Sequence, residues 1–241
     1  YEVKDAALGA FSLFFSQSPS FLSYQNSMKK MKGKSNAESL FKISEIPSDN
    51  QIRNILDTIR PEELFPVFED CYNKLDQLGH LKPYRFFHNC LLVAIDGTEY
   101  FRSQKINCPN CNVTKHKNGK ISYSHKVLTP VITQPNSNTV IPLEPEFVTP
   151  QDGSKKQDCE INAGKRWVER NAHMAEKQVI ILGDDLFSRE PFCEQLLSKG
   201  FHFVLVCKPD SHKTLYENLA GNDSITTISN RKWNGKFHEL V

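Results

Sequence analysis

The fold is decided by residues 91–97, Leu91-Leu92-Val93-Ala94-Ile95-Asp96-Gly97. The five apolar residues form a continuous run of strand length, which is typical of a central strand covered on both faces. Asp96-Gly97 ends that strand. A second apolar run, Gln178 to Leu182, is followed closely by Asp184. The pattern therefore predicts two buried strands that each end at an aspartate.

The segments around these two strands alternate between strand and helix patterns. Further strands are predicted over 99–106 and 122–133, where the connection 107–120 makes the pair a long hairpin. An irregular Pro-rich stretch, 135–150, separates them from a helix, a strand, a helix and a strand over 156–176, 178–182, 188–199 and 201–207. This order of three consecutive strands, helix, strand, helix, strand predicts a mixed α/β sheet with parallel crossovers.

The residues before this sheet are predicted to be helical. Ser48-Asp49-Asn50-Gln51 has the form of a capping box, Pro61 is placed as a first-turn proline, and Gly79 ends the helix that follows. The Lys-, Ser- and Asn-rich segment 25–37 is predicted to be a loop. We therefore expect a helical N-terminal region, 1–88, and an α/β domain, 89–241.

Composition limits the class of protein. Of the 241 residues, 39% are hydrophobic and 24% charged, as in soluble globular proteins. No apolar run approaches the ~20 residues that cross a bilayer, so no membrane partner is expected. Seven cysteines, an odd number, argue against a disulfide framework and for a reducing cytoplasm.

Asp96 and Asp184 are candidate metal ligands. Side chains at the carboxyl ends of neighbouring strands converge on one crevice, where two carboxylates repel unless a cation lies between them. Oxygen ligands select Mg²⁺ or Mn²⁺, and a two-metal site of this kind can cleave a phosphodiester. The alternative is ordinary, because Asp-Gly after a strand is often only a turn.

The same stretches resemble a known family. Val93 to Phe101 resembles the first-aspartate strand of the DDE transposases of bacterial-type insertion sequences. Ile180 to Ser188, followed by Phe201 to Val206, is similar to their second-aspartate strand, turn, helix and next strand. Segments 20–22, 46–49 and 156–166 extend the resemblance over nearly the whole chain.

The resemblance implies an RNase H-like catalytic domain in which Asp96 and Asp184 are catalytic and bind the metals. It implies DNA transposition: strand cleavage at terminal inverted repeats and transfer into target DNA, with a homodimer bound to DNA at the nucleoid. The family's third acidic residue is expected beyond Val241, which would leave this chain incomplete and inactive alone. Asp185 departs from the family's usual residue after the aspartate, so the choice between Asp184 and Asp185 stays open.

Two other functions remain open. One is a different RNase H-like nuclease that uses Glu160 from the helix after the third strand; the ordinary alternative for Glu160 is an acid at an exposed helix start. The other is a DNA-binding remnant of a decayed element, without catalysis.

Two further groups complete the candidates. Cys108-Pro109-Asn110-Cys111 is half of a possible structural zinc site, which His116, His125 or Cys159 could complete, with two free thiols as the alternative. Basic residues recur along the helix after residue 155 and could contact DNA phosphates, although charged faces are usually only solvated: Lys156, Lys165, Arg166 and Arg170.

Overall fold

The computed structural model describes residues 1–31, 36–43, 45–150, 158–220, 229–233 and 236–240. It divides the chain into two compact units, Tyr1–Val67 and Phe68–Val241. That division falls inside the region predicted to be helical, 1–88, and does not test the predicted boundary after residue 88. Among the described residues, none of the helices is long and apolar enough to cross a bilayer.

The first unit consists of short helices. They are α1 (Val3–Phe15), α2 (Phe21–Lys30), α3 (Asn36–Ser39) and α4 (Asp49–Leu56), followed by a 3-10 turn at Pro61–Leu64. The capping box is confirmed: Ser48 accepts from the amide of Gln51, whose side chain accepts from the amide of Ser48. The loop predicted over 25–37 was wrong at both ends, because α2 runs to Lys30 and α3 begins at Asn36, while 32–35 lie outside the described residues. The N-cap of α2 is Ser20, which accepts from the amide of Ser23.

The second unit carries the strands. A helix that spans the division, α5 (Phe65–Gln77), ends before Gly79, whose φ of 74° takes the left-handed conformation expected at a helix stop. The remaining elements follow in chain order: β1 (Arg85–Phe86), β2 (Cys90–Ala94), β3 (Gly97–Ser103), β4 (Asn112–Lys115), β5 (Ile121–Leu128), β6 (Val131–Thr133), β7 (Ile141–Pro142), β8 (Glu146–Val148), α6 (Glu160–Arg170), β9 (Val179–Gly183), α7 (Glu190–Ser198), β10 (His202–Leu205), α8 (Lys213–Ala220), β11 (Ser229–Trp233) and β12 (Lys236–Leu240).

A mixed sheet lies at the centre of this unit, with the strand order β10-β9-β2-β6-β7. β9 runs parallel to both β2 and β10, whereas β6 and the short β1 are antiparallel to β2. The prediction that residues 91–95 form a central strand is thus confirmed. β11 and β12 form a separate antiparallel pair.

A second sheet continues from the first. β5 pairs with β3 on one side and with β4 and β8 on the other, so the predicted antiparallel pairing of the two strands is confirmed. The connection 107–120 differs from the prediction because it contains β4, which forms the hairpin with β5. Only two residues separate β2 from β3, and only Thr129-Pro130 separate β5 from β6. Pro130 has no amide hydrogen, which interrupts the pairing that a single strand over 122–133 would need. The amide of Thr129 still donates to the carbonyl of Asp96 (2.9 Å), so the links between the two sheets stay hydrogen-bonded at the level of Asp96.

Two other predictions differ in detail. The stretch 135–150 is not irregular throughout, because β7 pairs with β6 and β8 pairs with β5. The helix predicted over 156–176 is α6 followed by a 3-10 helix, Ala172–Lys177. Its predicted start falls in 151–157, outside the described residues.

The core packs against both faces of the central sheet. Alternate residues of a strand point to opposite faces, and those of β2 divide accordingly. Leu91, Val93 and Ile95 belong to the main cluster, and Cys90 and Leu92 to a smaller one. Large side chains from α6, α7 and the loops beside them complete the main cluster: Trp167, Val168, Phe187, Phe192, Leu196 and Phe201. The core therefore fixes α6 and α7 against the strands that end at Asp96 and Asp184.

Candidate metal-binding edge of the central sheet

Asp96 lies at the bend between β2 and β3, with its side chain exposed. Its Oδ1 accepts from the amide of Gly97 at 2.8 Å. Its carbonyl oxygen accepts from the amide of Thr129, which fixes the backbone at this point. Asp96 is therefore a solvent-facing carboxylate on a backbone held by the sheet.

Asp184 is placed equivalently on the neighbouring strand. In the parallel pairing of β2 with β9, Ala94 lies beside Leu182, and Asp96 and Asp184 each follow two residues later. Adjacent strands are ~4.8 Å apart, so this register brings the two exposed aspartates to one edge of the sheet. Oδ1 of Asp184 accepts from the amide of Leu186 at 2.9 Å. Within the described residues, no group donates to Oδ2 of either aspartate.

Asp185 has a different environment. Its Oδ1 accepts from the amide of Lys208 at 2.7 Å, and its Oδ2 accepts from the hydroxyl of Ser211. These hydrogen bonds, led by that of Ser211, together with the nearby charges of His212 and Lys208, hold the pKa of Asp185 below its ordinary value. Both carboxylate oxygens thus join the turn after β9 to the loop after β10. α7 begins only at Glu190, so Asp185 is not in its first turn, where an acid would be stabilised by the helix dipole.

A histidine completes this turn and was not singled out as a site residue from the sequence. Nε2 of His212 lies 2.7 Å from Oγ of Ser188 and 3.3 Å from Oδ1 of Asp185. Serine, histidine and aspartate here do not form a catalytic triad, because both contacts involve the same ring nitrogen, whereas a triad uses one nitrogen for each partner. The cluster therefore holds the loop that follows Asp184.

Glu160 lies beside Asp96. A Cβ atom at Gly97 would overlap the carboxyl group of Glu160, so that group packs directly on the residue that follows Asp96. One oxygen of Glu160 also pairs with Nζ of Lys126 at 3.0 Å. Glu160 begins α6 but is only partly exposed, so it is not the fully solvated helix start of the ordinary alternative. Sequence alone gave no signal for this contact, because it depends on how α6 docks on β3 and β5.

The edge offers carboxylate oxygens, which suit Mg²⁺ or Mn²⁺. Within the described residues, the acidic side chains do not assemble into a cluster of three close ligand atoms; the group that does is Cys108, Cys111 and His125. The arrangement can therefore supply two aspartate ligands from adjacent strands, with a third carboxylate, Glu160, packed on Gly97 beside Asp96.

The arginines predicted to contact DNA are engaged within the unit. Arg166 donates to Glu146 at 2.6 Å and to Asp158 at 2.8 Å, and Arg170 donates to Glu144 and Glu146. Partial burial alone would lower the pKa of Arg166, but the hydrogen bonds and charges of Asp158 and Glu146 outweigh it and raise that pKa. These ion pairs neutralise the charges of both guanidinium groups, and they join α6 to β8 and the residues around β8.

The other two basic residues of the DNA-contact prediction are Lys165 and Lys156. Lys165 is half-buried on α6, and its carbonyl accepts from Gln195 on α7. Lys156 lies outside the described residues. DNA binding by these side chains stays a prediction.

The predicted Cys-x-x-Cys group lies just before β4. Sγ of Cys108 and Sγ of Cys111 are 3.7 Å apart, and each is 3.3 Å from Nε2 of His125 on β5. His116, by contrast, contacts the hydroxyl of Ser122 (2.8 Å). Cys159 is not among the close ligand atoms. Of the three residues considered as a further ligand, the fold therefore brings His125 to the pair.

Comparison with known proteins gives little guidance. No family model matches this chain. No curated protein matches it. A solved structure, a pre-cleavage Mos1 transpososome, aligns over 84% of this chain at 12% sequence identity with a TM-score of 0.22. The alignment spans 65% of that transpososome chain. At this TM-score the similarity carries no argument, and function has to be argued from the residues.

Proposed function

We propose that this chain is the metal-binding part of a DNA transposase, a polynucleotidyl transferase in which Asp96 and Asp184 hold Mg²⁺ or Mn²⁺. The observation that carries the proposal is the parallel register of β2 with β9, which aligns the two aspartates at one edge of the sheet. In this proposal the substrate is double-stranded DNA, and two copies of the chain act together on paired inverted repeats.

The order of elements supports an RNase H-like fold. Apart from β4, which lies between the first two, the chain segments 90–103, 121–133 and 141–148 pair antiparallel in turn, and α6, β9, α7 and β10 follow. This is the order that the resemblance to DDE transposases implies for their catalytic domain. It places both strand-end aspartates on the central pair of parallel strands.

The contacts of the neighbouring acids support Asp184 over Asp185 as the ligand. Both oxygens of Asp185 are engaged by Lys208 and Ser211, whereas Oδ2 of Asp184 has no donor among the described residues. A carboxylate that already accepts two strong hydrogen bonds has less capacity left for a metal. Asp185 and His212 would instead keep the loop beside Asp184 in place.

The chemistry follows from this arrangement. A divalent cation held by Asp96 and Asp184 would supply activation of the attacking water or 3′-hydroxyl and stabilisation of the leaving oxygen of a phosphodiester. Asp96 and Asp184 would fix the position of the cation because β2 and β9 are held rigidly by their pairing and by the core. No histidine is needed as a base in this chemistry.

The experiment is Mn²⁺-dependent cleavage of a labelled duplex taken from the DNA that flanks the gene, by the protein expressed from its full natural reading frame. Asp96→Asn and Asp184→Asn should each abolish cleavage. The matched control is Glu194→Gln, which removes an exposed carboxylate on α7 and should leave cleavage unchanged. DNA binding without cleavage by the unmodified protein would contradict the enzyme and favour a non-catalytic remnant.

A second candidate function has its own observation. The packing of Glu160 on Gly97 favours an RNase H-like nuclease that uses Glu160 as a third carboxylate and cleaves without joining. Glu160→Gln distinguishes the two functions. It should abolish cleavage in the nuclease, whereas a transposase whose third acid lies elsewhere should keep most of its activity.

A further inference from the structure

We propose that the open end of the β4–β5 hairpin, opposite its turn at 116–120, binds one Zn²⁺ ion through Sγ of Cys108, Sγ of Cys111 and Nε2 of His125, with solvent at the fourth position; we call it the hairpin site. The ion would be structural: it would join the turn before β4 to β5. This site is separate from Asp96 and Asp184 and does not depend on their role.

The distances among the three ligand atoms are those of a tetrahedral zinc site. With Zn–S near 2.3 Å and Zn–N near 2.0–2.1 Å, tetrahedral angles require about 3.8 Å between the two sulfurs and about 3.5 Å between sulfur and nitrogen. The observed separations are 3.7 Å for the sulfurs and 3.3 Å for each sulfur from Nε2. A single ion can therefore contact all three atoms without rearrangement of the backbone.

The backbone explains why the atoms meet. Asn112 pairs with Ser124 in the β4–β5 ladder, so Cys111 and His125 come opposite each other one residue further along. A turn closes on the pair: the amide of Cys111 donates to the carbonyl of Cys108, and the amide of Cys108 donates to Sγ of Cys111 at 3.3 Å.

Aromatic packing orients the imidazole. The ring of Tyr100 stacks on His125 with centroids 5.8 Å apart and planes at 16°, and Phe101 lies 5.5 Å away. Both rings come from β3, the neighbour of β5. His125 is thus held with Nε2 towards the two sulfurs, the orientation that coordination requires.

A disulfide does not account for this geometry. The sulfurs are well beyond the ~2.05 Å of a disulfide bond, and both cysteines are free. Cys111 is buried although Cys108 is exposed. A buried sulfur with an imidazole nitrogen and a second sulfur aimed at it has the arrangement of a metal ligand.

The experiment measures metal in the purified chain after equilibration with Zn²⁺ and gel filtration. We expect one zinc per chain, and a Co²⁺-loaded sample should show the visible absorption of tetrahedral thiolate coordination. Cys108→Ser, Cys111→Ser and His125→Ala should each lower zinc affinity at least tenfold. Cys159→Ser and His116→Ala are matched controls, because the fold does not bring these side chains to the cluster, and both should keep full zinc content.

One variant separates coordination from packing. His125→Cys supplies a third thiolate, so it should retain zinc and shift the Co²⁺ spectrum towards three-sulfur coordination, whereas a packing role for the imidazole would not be rescued. The proposal is overturned if the chain binds no zinc, or if Cys159→Ser or His116→Ala removes it as fully as Cys108→Ser. Asp96→Asn should leave the zinc in place, so failure of the catalytic proposal is detected separately.

Discussion

The acidic edge and the hairpin site differ in how close the chain brings their ligand atoms. At the hairpin site, the ligand atoms of Cys108, Cys111 and His125 already lie at coordination distances. At the acidic edge, Asp96 and Asp184 share a register, but the described carboxylates do not close into a cluster of three ligands. Thiols and a neutral imidazole can pack together without a metal, whereas carboxylates repel one another. We infer that the hairpin site is preorganised, and that the carboxylates of the acidic edge would come together only when a cation binds between them.

The largest expected effect separates the two sites by metal. The double variant Asp96→Asn with Asp184→Asn should bind Mn²⁺ at least about a hundredfold more weakly, because it lacks two charged oxygen ligands. A hundredfold change in affinity corresponds to ~2.7 kcal/mol of binding free energy. Zinc content should not change. The double variant Cys108→Ser with Cys111→Ser should lose zinc and keep its Mn²⁺ affinity. Calorimetry measures the Mn²⁺ affinity, and elemental analysis measures the zinc content. Loss of both metals in either double variant would show that the two metals share a single site.

The second effect concerns the helix that carries Glu160 to the acidic edge. Arg166→Ala should lower the free energy of unfolding by about 3 kcal/mol, because it leaves the fully buried carboxylate of Asp158 without its partner. This value is the low end for breaking a buried ion pair, since the Arg166 side chain is itself 35% exposed. The measurement is urea denaturation. Lys165→Ala, on the same helix and half-buried, should cost less than ~1 kcal/mol.

The same two variants test the predicted DNA contacts of α6. A lysine that contacts phosphate contributes about one unit to the salt dependence of DNA binding. Lys165→Ala should therefore reduce that slope, whereas Arg166→Ala should not, because its charge is already paired with Glu146 and Asp158. A reduced slope in Arg166→Ala would restore this arginine as a DNA contact.

The sequence predicted elements better than the contacts between them. The positions of Asp96 and Asp184 after their strands could be predicted because a continuous apolar run followed by an acid is a local pattern. The role of His125 was one of three alternatives, since it lies 14 residues from Cys111 and only the β4–β5 register selects it. The position of Glu160 against Gly97 could not be predicted, because it depends on the docking of α6.

Errors in the elements have local causes. The segment 25–37 has a loop composition, but Ser20 caps a helix that includes residues 25–30. Within 135–150, the prolines hide two strands too short to show alternation, and these form only because β5 and β6 offer them edges. In both places hydrogen bonds to a specific partner, the Ser20 cap or a neighbouring strand, outweighed the loop-like composition of the segment.

A third, smaller effect tests the approach of Glu160 to the acidic edge. Gly97→Ala should destabilise the second unit by ~1–3 kcal/mol, because the added methyl overlaps the Glu160 carboxyl group. Glu160→Ala should relieve most of that cost, so a double-mutant cycle measured by urea denaturation should show coupling of ~0.5–3 kcal/mol. Additive effects would mean that Glu160 does not pack on Gly97. Zinc content at the hairpin site should be unaffected in all three variants.

The smallest effect separates Asp184 from Asp185 by pH. The pKa of Asp185 is lowered by its hydrogen bonds from Ser211 and Lys208 and by nearby positive charge, so its ionised form stabilises the folded state at pH values above the ordinary aspartate pKa of about 3.9. That stabilisation is lost as pH falls through the lowered pKa. Asp185→Asn should therefore be less stable than the unmodified chain at neutral pH, and the difference should shrink below about pH 4 in denaturation series. Asp184→Asn should instead lose Mn²⁺ affinity, because among the described residues its carboxylate accepts only from the amide of Leu186 and keeps one oxygen for the metal. Loss of Mn²⁺ binding in Asp185→Asn with unchanged stability would instead make Asp185 the ligand.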